Sequence, residues 1–189
     1  EEDNLKPALA VGMPAMVRED SLTLFTYEIR EEATWADGSP VTADDIAFTL
    51  KVLKAPLLNN ERVKPQVEFI QDIRIDKANP KKFTFVCSGY APEMELLTGD
   101  FFILPSYLFD PQGLLKTIQV ADLSDDLSEL GNNENLKAFA QKFNALNFKS
   151  DKAFLQGSGG YLLENHVPGQ YIVLKRKEDW WGNNLEEAH

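Results

Sequence analysis

From Leu22 to Glu32 the chain reads LTLFTYEIREE, which puts Phe25, Tyr27 and Ile29 on one side and Thr26, Glu28 and Arg30 on the other. That period of two predicts a half-buried strand. Asp37-Gly38 follows as a strong turn signal, and Pro40 blocks an immediate return to helix. Thr42 then stands where an N-cap belongs, with Asp45 three residues on completing a capping-box variant and Val41 and Ile46 placed for a hydrophobic staple. Asp44 and Asp45 fall in the first turn, where the helix dipole favours negative charge. Beyond Ile46 the pattern is apolar on most sides through Phe48, Leu50, Val52 and Leu53, which predicts a helix sandwiched between layers.

Further on, Ile73 and Ile75 alternate with Arg74 and Asp76. An Asn79-Pro80 turn leads into alternating Phe83, Phe85 and Cys87, so this region predicts a β-hairpin. APEMELLTGD predicts a short helix with Pro92 near its first turn, and ILPSYLFDPQG a Pro-punctuated connector with at most a single turn. Leu136, Phe139, Ala140 and Phe143 recur at helical spacing and predict a conventional amphipathic helix. After the glycines of GSGGY come a strand from Tyr161, a Pro168-Gly169 turn, and a strand through Tyr171, Val173 and Lys175.

Composition narrows the function classes. With 189 residues, 43% of them hydrophobic, the chain can bury a sizeable core. Its formal net charge of −11 repels phosphate backbones, and no Lys/Arg run offsets this locally, so nucleic acid is not an expected partner. No apolar run approaches the roughly 20 residues of a bilayer span. The first residues, EEDNLKPALAVG, lack the basic and apolar regions of a signal peptide, so any leader is expected outside this sequence. A single cysteine, Cys87, excludes an internal disulfide framework and reads as a buried strand thiol; such sparse use fits an exported protein.

Candidate chemistry is thin. Asp37, Asp44 and Asp45 cluster, but each has a structural task in a turn or a cap, and cap positions do not separate two carboxyl pKa values as acid–base work requires. On the cap reading, Asp45→Asn should cost on the order of 1 kcal/mol or less. A hydrolase using Asp37 or Asp45 is the remote alternative. The polar stretch Asp122 to Glu134 is rich in oxygen ligands, yet lacks the order and terminal Glu of a calcium loop, and reads as a solvated insertion. Gly157, Gly159 and Gly160 lack the Lys-Ser/Thr of a phosphate loop and lead into a strand, so they are expected to let closely packed backbones cross. His166 lies beside a turn, without a partner at metal spacing. No metal and no cofactor is expected.

Two separated blocks carry a resemblance. WADGSPVTADDIAFTLKVL resembles the motif of the family 5 extracellular solute-binding proteins, the oligopeptide, dipeptide and nickel receptors of ABC importers, through Trp35, Asp37, Gly38, Pro40, Thr42, Ala43, Asp45 and Ile46. GSGGYLLENHVPGQYIVLKRKEDWWG is similar to the family's Gly-Thr-Gly-Pro-Tyr stretch and Tyr-Trp-Gly close through Gly157, Gly159, Tyr161, Pro168, Gly169, Trp181 and Gly182. Ser158, Gly160, Glu178 and Trp180 depart from the usual Thr, Pro, Asn and Tyr.

The resemblance implies an α/β, or mixed α+β, fold that is part of one lobe of a two-lobed periplasmic-binding-protein-like architecture, a mixed sheet with flanking helices and hairpins. Residues 1–189 would form part of the amino-terminal lobe, with 118–150 a variable insertion carrying a helix and the second lobe absent. It further implies a substrate-binding component of an importer, not an enzyme. Such a component is exported to the periplasm or cell surface, with any lipid anchor outside this chain. It captures a peptide, or another small solute such as a nickel chelate or sugar, and delivers it to a membrane permease. A peptide-sensing module without transport is the alternative. Both blocks would be architectural, and the candidate ligand contacts are the aromatic side chains Tyr90, Phe101, Phe102 and Tyr107.

Overall fold

The structure is a computed structural model describing residues 6–123, 130–147 and 152–185. The alternating stretch forms β2 (Leu22–Glu28), and it pairs antiparallel with β4 (Lys82–Ser88) from Leu22 opposite Ser88 to Glu28 opposite Lys82. β3 (Ile70–Ile75) returns on the other side of β4, as the Asn79-Pro80 turn requires. The sequence pattern does not announce β1 (Ala15–Glu19), whose five residues are all exposed. It is held to β2 by backbone pairing alone, through a turn in which Asp20 takes a positive φ of 49°. The sheet runs β1-β2-β4-β3 and is antiparallel throughout.

One face of this sheet is aromatic and dry. Phe25, Tyr27, Phe83, Phe85 and Cys87 are buried, and Tyr27 and Phe83 stack with ring centroids 5.7 Å apart. Helix α1 (Ala43–Lys54) lies on that face with Ile46 and Leu50 inward. Its opposite side, Phe48 and Val52, enters a second cluster built on α5 (Glu134–Asn144), whose stripe Leu136, Phe139 and Ala140 is buried. The predicted sandwiching of α1 is therefore met, and each buried Leu or Phe contributes about 1.5–3 kcal/mol. Asn133 caps α5 by accepting the Leu136 N–H at 3.0 Å. Ile118, Val120 and Leu123 are also buried, so the 118–150 region supplies core as well as surface. Of the acidic stretch 122–134, residues 124–129 lie outside the described residues. Asp122 accepts the Gln119 N–H at 2.8 Å.

Short helices α2 (Lys64–Val67), α3 (Met94–Gly99) and α4 (Ser106–Phe109) link these layers. Two buried lysines tie loops to the sheet. Lys81 donates to the carbonyls of Arg30, Glu31 and Ala33 at 3.2–3.3 Å, and Lys54 to that of Ile70. Burial pushes the Lys54 ammonium down to about 8 and the Cys87 thiol up to about 12, which makes Cys87 the inert strand thiol its spacing implies.

Apart from this body, β5 (Tyr161–Val167) and β6 (Tyr171–Arg176) form a two-stranded antiparallel hairpin, turned at Gly169 with φ 74°. Among the described residues no helix is long and apolar enough to cross a membrane.

Candidate functional site

Asp45 answers what the acidic cluster is for. Its side chain is 4% exposed, and both carboxylate oxygens are taken. Oδ2 accepts from the Trp35 indole N–H at 3.1 Å and the Thr42 backbone N–H at 3.0 Å; Oδ1 accepts from the Ser106 N–H at 3.0 Å and hydroxyl at 2.7 Å. The Thr42 hydroxyl adds a longer contact at 3.4 Å. One carboxylate thus joins the Asp37-Gly38 turn, the start of α1 and the start of α4. Thr49, one helical turn on, donates to the Asp45 carbonyl at 2.7 Å and accepts the Leu104 N–H at 2.9 Å, pinning the same connector.

This exceeds a helix cap. The predicted capping box is present, and the added partners lead us to expect a larger loss for Asp45→Asn than a cap alone would give, because an amide would turn a donor toward groups that themselves donate. Asp44 is exposed. Asp37 accepts from the Ser39 hydroxyl at 2.6 Å and N–H at 2.9 Å within its turn. The Ser39 hydroxyl is the main reason its carboxyl is held below the usual carboxylate range. Gly38 takes φ 86° there, a conformation that favours glycine.

The two sequence blocks, more than a hundred residues apart, meet in space. Between the Trp35 turn and the end of the β5–β6 hairpin lies a cleft of about 520 Å³. Thr34, Trp35, Ala36 and Gly38 form one wall, and Leu162 with Lys175 to Trp181 the other. Ser158 is the joint. Its hydroxyl donates to the Thr34 carbonyl at 2.9 Å, and its own carbonyl accepts the indole N–H groups of Trp180 at 2.8 Å and Trp181 at 2.9 Å. Lys177 donates to the Gly157 carbonyl at 2.9 Å, and desolvation lowers its ammonium from the ordinary lysine value.

The glycines divide differently from the sequence expectation. A Cβ at Gly157 would meet nothing nearer than the Gly159 nitrogen at 3.9 Å and one at Gly159 nothing within 4 Å, so close packing is not their reason. The tight positions are Gly160 and Gly182, where a Cβ would come within 3.0 Å and 2.5 Å of the Trp180 ring. Gly160 and Trp180 are both departures from the family pattern, and the structure seats one against the other. Trp181, by contrast, packs partly buried against the main core.

The four aromatic candidates do not converge. Tyr90 is half exposed beneath the Arg18 guanidinium, 3.9 Å from its ring centre, at the Leu22–Ser88 end of the sheet. Tyr107 sits near the opposite end, its hydroxyl against Asp37, with burial and then that charge raising its pKa. Phe101 tilts against Phe85 at 6.1 Å and belongs to the core margin. Phe102 is 94% exposed and stands free of the core.

Sequence reasoning missed Ser106, Thr49, Ser158, Lys177 and Lys81 as organising residues. Their partners are 48 to 124 residues away in four of these cases and 20 in the fifth, and no local period marks them. Among the described residues no group of three His, Cys, Asp or Glu side chains could hold a metal ion. The cleft combines indole faces, lysines and carboxylates. That set suits reversible contact with a polar ligand that also has apolar parts.

Comparison with known proteins gives a consistent picture. Residues 4–188 match the family model described as bacterial extracellular solute-binding proteins, family 5 Middle. A peptidoglycan-binding protein, YepA, of Agrobacterium fabrum is 24% identical over 171 residues, spanning 88% of this chain and 22% of the relative. The periplasmic oligopeptide-binding protein OppA of Salmonella typhimurium is 24% identical over 162 residues, 85% of this chain and 26% of its own length. Among solved structures, the oligopeptide-binding protein of Thermus thermophilus complexed with a pentapeptide superposes with a TM-score of 0.62 at 21% identity. That match covers 92% of this chain and 30% of the other. The chain therefore spans about a fifth to a third of the length of these proteins.

Proposed function

The chain belongs to the bacterial extracellular solute-binding proteins of family 5, and on that footing we propose that it is part of one lobe of a two-lobed receptor. The receptor captures peptides outside the cytoplasmic membrane, in the periplasm or at the cell surface, and delivers them to the permease of an ABC importer. The observation that carries this reading is the family match from residue 4 to residue 188, nearly the whole chain. The names of the oligopeptide-binding relatives support the peptide as cargo. No covalent step is involved. Capture rests on backbone-directed hydrogen bonds with roomy side-chain pockets, and on lobes closing over the ligand by a hinge. A single lobe then holds a ligand weakly, because the contact energy is shared across the closed cleft.

Within this lobe Phe102 is the aromatic candidate most open to an incoming ligand, and Tyr107 is held by Asp37 beside the cleft of the two blocks. The test is mass spectrometry of small molecules released by denaturing the full-length receptor purified from its own host, with the 189-residue chain in parallel. Peptides from the receptor and none from the chain are the expected result. A full-length receptor that releases no peptide and shows no thermal shift with a peptide library sinks the peptide assignment. A second reading comes from the relative named for peptidoglycan binding: the cargo is a peptide derived from the cell wall. Released peptides carrying D-amino acids or amino sugars would select it.

A further inference from the structure

The chain has three tryptophans, and Trp35, Trp180 and Trp181 all line the one cleft of about 520 Å³ beside Ser158. Each indole spends its N–H inward, Trp35 on Asp45 and the other two on the Ser158 carbonyl. What remains for a ligand is apolar ring surface. Trp35 is buried, so that surface comes from the half-buried Trp180 and Trp181, with Leu162 beside them. The polar lining is a run of cations, Lys175, Arg176 and Lys177, in a chain of net charge −11. Among the described residues no carboxylate stands at ion-pair distance from any of the three. Register sets Lys175 opposite Leu162, so both share one face of the hairpin, and the Lys177 N–H continues the ladder onto the Gly160 carbonyl. The Lys177 side chain donates to the Gly157 carbonyl, and an ammonium carries three N–H groups.

We propose that this cleft is a second ligand site, which binds a monocarboxylate with a flat apolar body. The carboxylate meets Lys175 and Lys177, and the body lies along Trp180, Trp181 and Leu162. Glu178 and Asp179 belong to the same wall and are exposed. Two carboxylates beside three cations suit a single negative charge and repel a phosphate or a polycarboxylate. Arg176 is engaged with Asn183 at 3.3 Å, which compromises the open fork that phosphate recognition uses. The cleft volume falls within the roughly 300–1,000 Å³ of small-molecule sites. Both walls come from this chain, so the site is distinct from cargo held between lobes and does not depend on that cargo being a peptide. A free aryl acid offers the required chemistry, and so does the C-terminus of a peptide ending in an aromatic residue.

The test is titration calorimetry of the full-length receptor with phenylpropionate, its amide phenylpropanamide, and N-acetylphenylalanine. The acids should bind at least about tenfold more tightly than the amide. The double variant Lys175→Gln/Lys177→Gln should weaken the acids by at least about tenfold and leave the amide unchanged. Lys175→Gln alone, where the side chain is exposed and bonds to no described residue, should weaken them about threefold and serves if the double variant melts early. Absence of binding by either acid overturns the proposal, as does equal affinity for acid and amide. Unchanged acid affinity in the variants also overturns it, because the acid then binds elsewhere. Tighter phenylpropionate assigns the site to free aryl acids and tighter N-acetylphenylalanine to a peptide terminus, and either order supports the site. Peptide release from the denatured receptor should be the same in the variants, so the cargo reading and this one fail separately.

Discussion

The Asp45 junction and the β5–β6 hairpin are opposite solutions to organising a chain. At Asp45 every partner lies inside the described structure: a buried carboxylate meets an indole, a helix start and a serine 61 residues away, and nothing is left to bond. At the hairpin the strands pair antiparallel with one irregularity between Leu163 and Asn165, yet the apolar side chains of β6 face water. Local pairing and turn chemistry suffice to define a hairpin, but burial needs a second surface. The body around α1 has two such surfaces, the sheet below and α5 above. Among the described residues the hairpin is joined to that body through the clasp at Ser158 and the tryptophans.

This contrast orders the expected effects of substitution. The largest belongs to the closed junction. Asp45→Asn should destabilise by about 2–4 kcal/mol, because buried donors lose their charged acceptor; urea unfolding followed by tryptophan fluorescence measures it. A loss under about 1 kcal/mol would reduce Asp45 to an ordinary cap. At the clasp, Gly182→Ala should cost about 1–3 kcal/mol by forcing a methyl into the Trp180 ring, and Trp180→Leu in the same chain should recover most of it. Additive losses in that cycle would show the contact is not limiting.

A pH-dependent effect tests the buried lysine. The Lys54 ammonium is lowered to about 8 in the folded state against an ordinary 10.5, so the unfolded chain binds more protons between those values. Its penalty is fully present below pH 8 and relieved as pH rises toward 10.5. The stability difference between the native chain and Lys54→Met should therefore shift in favour of the native chain across that window. The pH window is best read below 9, because above it Cys87, raised by burial and partly lowered again by the Lys54 charge, acts in the opposite direction and is itself altered by the substitution. An unchanged difference would mean Lys54 meets solvent. The smallest effect is expected at the open hairpin. Leu174→Lys in the 189-residue chain should stay within about 0.5 kcal/mol while improving solubility. A loss of 2 kcal/mol or more, estimated from core truncations, would show that the face is already covered.

What the sequence by itself determined is what short range controls. The strands at Phe25 and Phe85, the turns at Gly38 and Gly169, the capping at Thr42, and the stripe of α5 follow from periods of two and 3.6 and from φ restrictions. All of these act within a few residues, and the two family blocks were legible for the same reason. Tertiary structure alone decided the rest. It closed Asp45 with Ser106, brought Thr34 and Ser158 together across 124 residues, made Gly160 and Gly182 the crowded glycines, and left β6 open to water. These depend on which surfaces end up facing one another, a global consequence of burying apolar area that no local pattern encodes. β1 marks the boundary: without an apolar alternation of its own, it is a strand only because the edge of β2 is there to pair with it.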